Sequence, residues 1–261
     1  MKIIDNILNL IFPPTCGFCG EVNTNFLCNK CKNKYQELKI SNINDYSNVP
    51  VFFEEHYYAF KYQDEIRNLI IKYKFEEHSY LYKTFSVFIL QDKIFTEKFI
   101  NKYDVIISVP IHNKRMKTRG YNQSKLIAKE IAINCGKEYY DNVIIKSKNI
   151  APQSTLDMLE RVKNIKEAFS IGKNSEKISG KNVALFDDIF TTGSTVNECA
   201  KILKKIGANN VGIFTLAKDW CIKNYQVKSQ MQFCKANTIC MMYKKFQKNS
   251  TKYCNKFYWL L

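Results

Sequence analysis

The stretch Val183-Ala184-Leu185-Phe186-Asp187-Asp188-Ile189-Phe190-Thr191-Thr192-Gly193-Ser194-Thr195-Val196 decides how this chain folds. Its apolar opening, closed by two acids, has the pattern of a fully buried parallel strand ending at the carboxyl edge of a sheet. Beyond Gly193 the apolar residues Val196, Cys199, Ala200, Leu203 and Ile206 fall on one face of a helix, with Gly207 placed to stop it. Strand therefore turns directly into helix, and Thr191 to Thr195 sit on the helix N-terminus. Unpaired amides and the positive dipole end favour a phosphate there, and one glycine among hydroxyl residues lets the backbone approach it. Asp187 and Asp188 are not phosphate ligands. They need something hydroxylated or cationic, and a ribose diol with Mg²⁺ nearby meets both needs. The bland alternative is an acid pair that caps a helix beside an ordinary turn.

These residues resemble the signature of the type I phosphoribosyltransferases, which bind 5-phosphoribosyl-1-pyrophosphate (PRPP). The resemblance implies that Asp187 and Asp188 hold the ribose hydroxyls. It also implies that Thr191, Thr192, Gly193, Ser194 and Thr195 hold the 5′-phosphate. The fold it implies is an α/β type I phosphoribosyltransferase-like fold with a mostly parallel central sheet.

Upstream, Tyr103 to Val109 is another buried-strand run, broken by Pro110 and expected to lie parallel beside Val183 to Phe186. The segment after it carries Lys114, Arg115, Lys117 and Arg119, positive charge at a strand end where a pyrophosphate fits. It reads as a basic loop, with Asn122 or Ser124 capping a helix that turns Ile127 and Ile131 inward and stops at Gly136. A solvated basic loop with no ligand is the alternative. Val51 to Phe60 reads as a strand. Helices follow, with Ile66, Leu69, Ile70 and Tyr73 on one face, and then across Ser79 to Leu90. Val211 to Ala217 is a further strand.

Near the N-terminus, Cys16-Gly17-Phe18-Cys19 and Cys28-Asn29-Lys30-Cys31 form two Cys-x-x-Cys pairs eight residues apart. Four thiolates in that spacing suit one tetrahedral Zn²⁺ in a very small knuckle whose folding depends on the metal. Such a saturated site is structural. A disulfide is disfavoured in a reducing cytosol, and a redox motif needs only one pair.

Together these motifs resemble the ComF/GntX family, associated with DNA uptake in competent bacteria. That family joins an N-terminal Cys₄ knuckle to a PRPP-type domain and carries an Arg-Gly-Phe-Asn-Gln motif, here Arg119-Gly120-Tyr121-Asn122-Gln123. It also carries a Gln-x-x-Leu…Arg…Asn…Phe stretch, matched by Gln153, Leu156, Arg161, Asn164 and Phe169. The resemblance runs from about Leu10 to Lys218. It implies that Arg115, Arg119 and Gly120 lie against pyrophosphate. Gln153 and Arg161 belong either to a mobile lid or to a surface helix, since Leu156, Leu159 and Val162 are helically spaced.

The expected organisation is an N-terminal helix and zinc knuckle over 1–35, a polar, Asn-rich linker over 36–50, the phosphoribosyltransferase-like domain over 51–219, and an extension over 220–261. Of the formal charge of +16, half lies in the extension, whose eight lysines after Trp220 face no acid. Interleaved with aromatics, those lysines suit either single-stranded nucleic acid or a weakly structured tail. Cys135 and Cys199 read as core residues. No run is long and apolar enough for a membrane span, and the N-terminal apolar segment is interrupted by Asp5 and lacks a cleavage site, so a cytoplasmic location is expected. Two functions stay open. One is a Mg²⁺–PRPP enzyme whose acceptor no residue marks; the other is a module that binds single-stranded DNA or senses PRPP beside competence proteins.

Overall fold

The computed structural model describes residues 13–22, 26–76, 78–147 and 168–219. All of these fall in a compact unit spanning Met1–Trp220. The stretch that carries Gln153 and Arg161 and the 220–261 extension lie outside the described residues.

The six-stranded sheet runs in the order β1 (Lys39–Asp45), β2 (Glu55–Lys61), β8 (Val211–Lys218), β7 (Val183–Phe190), β3 (Val105–Ser108) and β4 (Glu138–Tyr139). Only the β1–β2 pair is antiparallel. A separate antiparallel pair joins β5 (Ile144–Lys146) to β6 (Phe169–Ile171). At the centre, Val183, Ala184, Leu185 and Phe186 are fully buried, because helices cover both faces. Alternation divides them. Ala184 and Phe186 pack on one face with Ile127, Ala128 and Ile131 of a helix over Gln123–Asn134. Val183 and Leu185 pack on the other with Val196, Cys199 and Leu203 of a helix over Ser194–Lys205. The chain leaves β3 toward one edge and β7 toward the other, so a crevice opens between their carboxyl ends, the usual ligand position in an open α/β sheet.

Among the described residues the expected strands and helices are present, the strand expected over Val51 to Phe60 beginning only at Glu55, with β3 and β7 parallel in the register Val105↔Val183 to Ser108↔Phe186. Ile66, Leu69, Ile70 and Tyr73 are the buried stripe of a helix over Asp64–Phe75, and the next helix spans Leu81–Leu90. Two expectations change. The segment read as a linker over 36–50 carries the edge strand β1, preceded by a helix over Asn29–Glu37. An edge strand needs apolar neighbours on one side only, and a register shift between Lys39 and Asn42 further blurs its alternation. It is anchored by buried charge: Lys39 Nζ lies 3.0 Å from Asp92, which also accepts from Tyr57 at 2.6 Å. The basic segment after Pro110 is a short helix over Asn113–Arg119, capped by His112 and ended at Gly120 with φ +75°, not a loop.

The cysteine segment packs directly on the domain. Cys16, Cys28, Cys31 and Tyr35 belong to the same buried cluster as Phe85 and Ile70. Gly17 donates its amide to Thr84 Oγ1 at 3.1 Å, and a Cβ there would stand 2.4 Å from that oxygen. Phe18 meets Tyr35 and Phe85 edge-on.

Candidate functional site

Strand β7 outruns its neighbour. Pairing with β3 ends at Ser108↔Phe186, its last bond running from the Val109 amide to the Phe186 carbonyl at 2.9 Å, whereas pairing with β8 continues through Asp187↔Thr215 to Phe190↔Lys218. The acid pair thus belongs to the strand instead of closing it, and one edge of the strand is open beside both carboxylates. Successive side chains on a strand diverge, and these two find different partners. Asp188 makes an ion pair at 2.9 Å with Lys74, the penultimate residue of the Asp64–Phe75 helix. Asp187 accepts from the Asp188 amide at 2.9 Å and from Ser124 Oγ at 3.3 Å. Burial raises the Asp187 carboxyl to about 7, helped by the charge of Asp188 and opposed by Lys74, the Asp188 amide and Lys146. A carboxyl raised this far by burial and a like charge makes the strand end a candidate functional site.

Past Phe190 the chain turns at Gly193, with φ +75°, and enters the Ser194–Lys205 helix. A side chain at that position would meet the Phe190 ring at 2.6 Å, so glycine is required twice over, by backbone conformation and by space. Thr192 Oγ1 accepts the Ser194 amide at 3.2 Å and donates to Ser194 Oγ at 2.9 Å, which fixes the turn. Thr191 is exposed and Thr195 partly so. The bend therefore offers hydroxyls and helix-terminal amides at the same sheet edge as the acids. Phe190 itself rests on buried His56, with ring centroids 4.2 Å apart.

The Arg119 to Gln123 motif works largely as a fastener. Asn122 Oδ1 caps the following helix by accepting from Ser124 and Lys125, and its Nδ2 donates to the Val109 carbonyl at 3.1 Å. Tyr121 donates to the Tyr73 carbonyl at 2.6 Å and Gln123 Nε2 to the Lys74 carbonyl at 3.2 Å, closing the end of the Asp64–Phe75 helix. Arg119 reaches Gln123 at 3.2 Å and lies over the Phe75 ring. Burial and the charge of Arg115 draw its guanidinium down, while Asp188 opposes them. Both arginines are partly buried, whereas Lys114 and Lys117 are exposed. Lys146 adds a further cation, lowered by burial and by Arg115 against the pull of Asp187. It lines a cleft of about 300 Å³ with Ser108, Pro110, His112, Asn122 and Lys125.

Lys74 and Lys146 were not singled out from the sequence, and Ser124 was expected only as a helix cap, a role that Asn122 fills instead. Lysine is common in this chain, and nothing in a lysine's sequence neighbours tells which carboxylate it will meet. Of the expected residues, the structure brings Asp187, Asp188 and the 191–195 bend to one sheet edge, with Arg119 electrostatically close to Asp188. Cys135 is partly buried and Cys199 wholly buried against the core.

Cys16, Cys19, Cys28 and Cys31 converge so that their sulfur atoms all lie within 4.8 Å of one another. Tetrahedral zinc with about 2.3 Å bonds needs sulfurs roughly 3.8 Å apart, so small inward shifts suffice. Cys19 and Cys28 are already at 3.6 Å, and the Cys31 amide points to Cys28 Sγ at 3.4 Å. The donor set fits zinc and leaves no open position. Among the described residues no helix is long and apolar enough to cross a membrane.

Residues 93–233 match the phosphoribosyl transferase domain family. Among similar proteins, competence protein F of Haemophilus influenzae is 29% identical over 160 residues, covering 60% of this chain and 69% of that protein. The DNA utilization protein YhgH of Salmonella typhimurium is 29% identical over 159 residues, 60% of this chain and 69% of its own length. Competence protein ComFC of Streptococcus pneumoniae is 28% identical over 163 residues, 62% and 68% respectively. With a parallel sheet, an acid pair on its central strand and a Cys₄ cluster packed against it, the chain belongs to the phosphoribosyl transferase domain family and stands among its ComF-like members.

Proposed function

We propose that the protein binds Mg²⁺–PRPP and acts as a phosphoribosyltransferase-type protein in the handling of incoming DNA. The observation that carries this is the acid pair standing at an unpaired strand edge beside a hydroxyl-lined helix N-terminus. In this reading Asp187 and Asp188 take the ribose hydroxyls and Thr191 to Thr195 the 5′-phosphate. Arg115 and Arg119 face the pyrophosphate, and Gln153 and Arg161 belong to the segment that would cover it. The names of the relatives, competence and DNA utilization, support the link to DNA uptake.

Mg²⁺ supplies charge neutralisation of the pyrophosphate when bound, and Asp187 and Asp188 are the residues available to orient it with the diol. The protein's own part is positional. A strand and a helix N-terminus fix the two ends of the sugar phosphate, and cations flank the leaving group, so that charge developing on departure meets fixed dipoles. Lys74 pairs with Asp188 and aims it; Ser124 orients Asp187. The Cys₄ cluster holds a structural zinc that secures the N-terminal segment to the domain core.

Calorimetry with Mg²⁺–PRPP is expected to show one site in the wild type and none in Asp187→Asn/Asp188→Asn. Equal affinity in both would refute the site. Pyrophosphate release with a panel of acceptors then separates an enzyme from a PRPP sensor. A second reading, a single-stranded DNA-binding module, is favoured by the nearness of Arg115 to both Arg119 and Lys146, the last of which lines the cleft with Lys125. It predicts affinity that falls steeply with salt and weakens in Arg115→Ala/Arg119→Ala.

A further inference from the structure

His56 is wholly buried on β2, where an apolar side chain would be the less costly choice. Its Nε2 lies 2.9 Å from Thr215 Oγ1 on the neighbouring strand. That hydroxyl donates to the Ala217 carbonyl at 3.2 Å, so its oxygen is left to accept and the imidazole carries its proton on Nε2. Nδ1 is then a bare acceptor, and it has no hydrogen-bond partner among the described residues. Burial, and after it the charge of Lys218, hold the ring well below its ordinary range, so it is neutral. A half-satisfied polar ring in the core lowers stability, and packing alone does not explain it.

The place of the ring does. His56 stacks on Phe190 with centroids 4.2 Å apart and planes 23° from parallel. Phe190, the last residue of β7, is itself buried, and Tyr46 and Phe53 meet it at 6.3 Å each. Its ring occupies the space beside Gly193, 2.6 Å from where a Cβ would stand. Imidazole, phenyl ring and glycine therefore form one column that ends at the Thr191 to Thr195 bend. The other contact of His56 leads to the acids, because Thr215 is the residue opposite Asp187 in the β7–β8 ladder. A leucine here would fill the volume, but it has neither a flat face to set the tilt of Phe190 nor a donor to tie itself to Thr215.

We infer that His56 is a positioning residue for the sugar phosphate: through Phe190 it sets the bend that receives the 5′-phosphate, and through Thr215 it ties that bend to the strand carrying Asp187. This rests on the phosphoribosyl reading and deepens it, naming a residue that touches no ligand yet fixes the spacing between the phosphate and ribose ends of the site. Pyrophosphate, held in that reading by Arg115 and Arg119, lies outside the column. The effect of His56 therefore falls on one end of the ligand only.

The test measures the affinities of ribose 5-phosphate and of pyrophosphate, each with Mg²⁺, by calorimetry on the full chain, together with Tm. His56→Leu is expected to keep or raise Tm, because it removes the unpartnered nitrogen. It should weaken ribose 5-phosphate about tenfold while pyrophosphate stays within about twofold. His56→Phe, which returns a flat ring to Phe190, should bring ribose 5-phosphate back to within about threefold of the wild type. A histidine that only fills the core would move stability and both affinities in the same direction. Should His56→Leu lower Tm, a loss confined to ribose 5-phosphate still supports the role, since general loosening weakens both ligands. If the wild type binds neither ribose 5-phosphate nor Mg²⁺–PRPP, the underlying site reading fails and the inference falls with it. If ribose 5-phosphate binds but His56→Leu leaves its affinity unchanged, or weakens both ligands alike as Tm falls, the positioning role alone is overturned.

Discussion

Asp187→Asn is expected to stabilise the protein at pH 8 while it removes affinity for Mg²⁺–PRPP. The carboxyl rises from an ordinary 3.8 to about 7, chiefly through burial and then through Asp188. A shift of about three units corresponds to a ceiling of about 4 kcal/mol. Solvent still reaches the side chain, so about half of that, about 2 kcal/mol, is the working figure. Below pH 4 the folded and unfolded chains both hold the proton and no penalty exists. Between 3.8 and 7 the folded state keeps a proton that the unfolded chain has released, so stability falls as pH rises and the deficit is complete above about 7. Asparagine never ionises, yet its Oδ1 still accepts from Ser124 and from the amide of residue 188. The variant's advantage should therefore be near zero at pH 4 and grow to about 2 kcal/mol at pH 8, or roughly 4–8 °C in Tm for a chain of this size. Differential scanning calorimetry at pH 4, 5.5, 7 and 8 reads it directly. An advantage independent of pH, or a lower Tm at pH 8, would refute the claim that this site stores electrostatic strain for its ligand.

Three further outcomes are expected. Gly193→Ala forces a side chain into a left-handed turn and against Phe190, so it should cost about 1–3 kcal/mol by urea unfolding and abolish Mg²⁺–PRPP binding; unchanged binding would mean that the bend is not the phosphate loop. Metal analysis of the purified protein should give one zinc per chain, and Cys28→Ser should lower Tm and expose the Phe18–Phe85 contact to solvent, since the Cys₄ cluster and the domain share one core. A well-folded, zinc-free preparation contradicts this. Lys39→Met strands the buried Asp92 carboxylate and should destabilise by about 3–5 kcal/mol, measured as a shift in urea midpoint; a loss below about 1 kcal/mol would show that Asp92 is adequately served by Tyr57 and Ser41.

Much of the fold was legible because its central strands are buried on both faces and its helices on one. Val105 to Ser108 and Val183 to Phe186 announce themselves as apolar runs, and Val196, Cys199, Ala200 and Leu203 as a helical stripe. Strand β1 was not legible, since an edge strand with a register shift can be almost wholly polar. Nor was the Asn113–Arg119 helix, whose seven residues bury none of their side chains and so carry no periodic signal.

By itself the sequence determined the local chemistry: acids followed by a hydroxyl-rich bend at a strand-to-helix turn, and two thiol pairs spaced for one metal. These are readable because each depends on residues within a few positions of one another. Tertiary structure alone decided that β7 overshoots β3 and leaves the acids on an open edge, and that Lys74 and Ser124 arrive from two different helices to serve them. It also decided that Arg119 backs an exposed Phe75 and that the cysteine cluster is packed into the domain's own core. The physical reason is reach. Hydrogen bonding and apolar periodicity act along the chain and leave their mark there, whereas an ion pair or a stacking surface forms between residues tens of positions apart and exists only once the chain has packed.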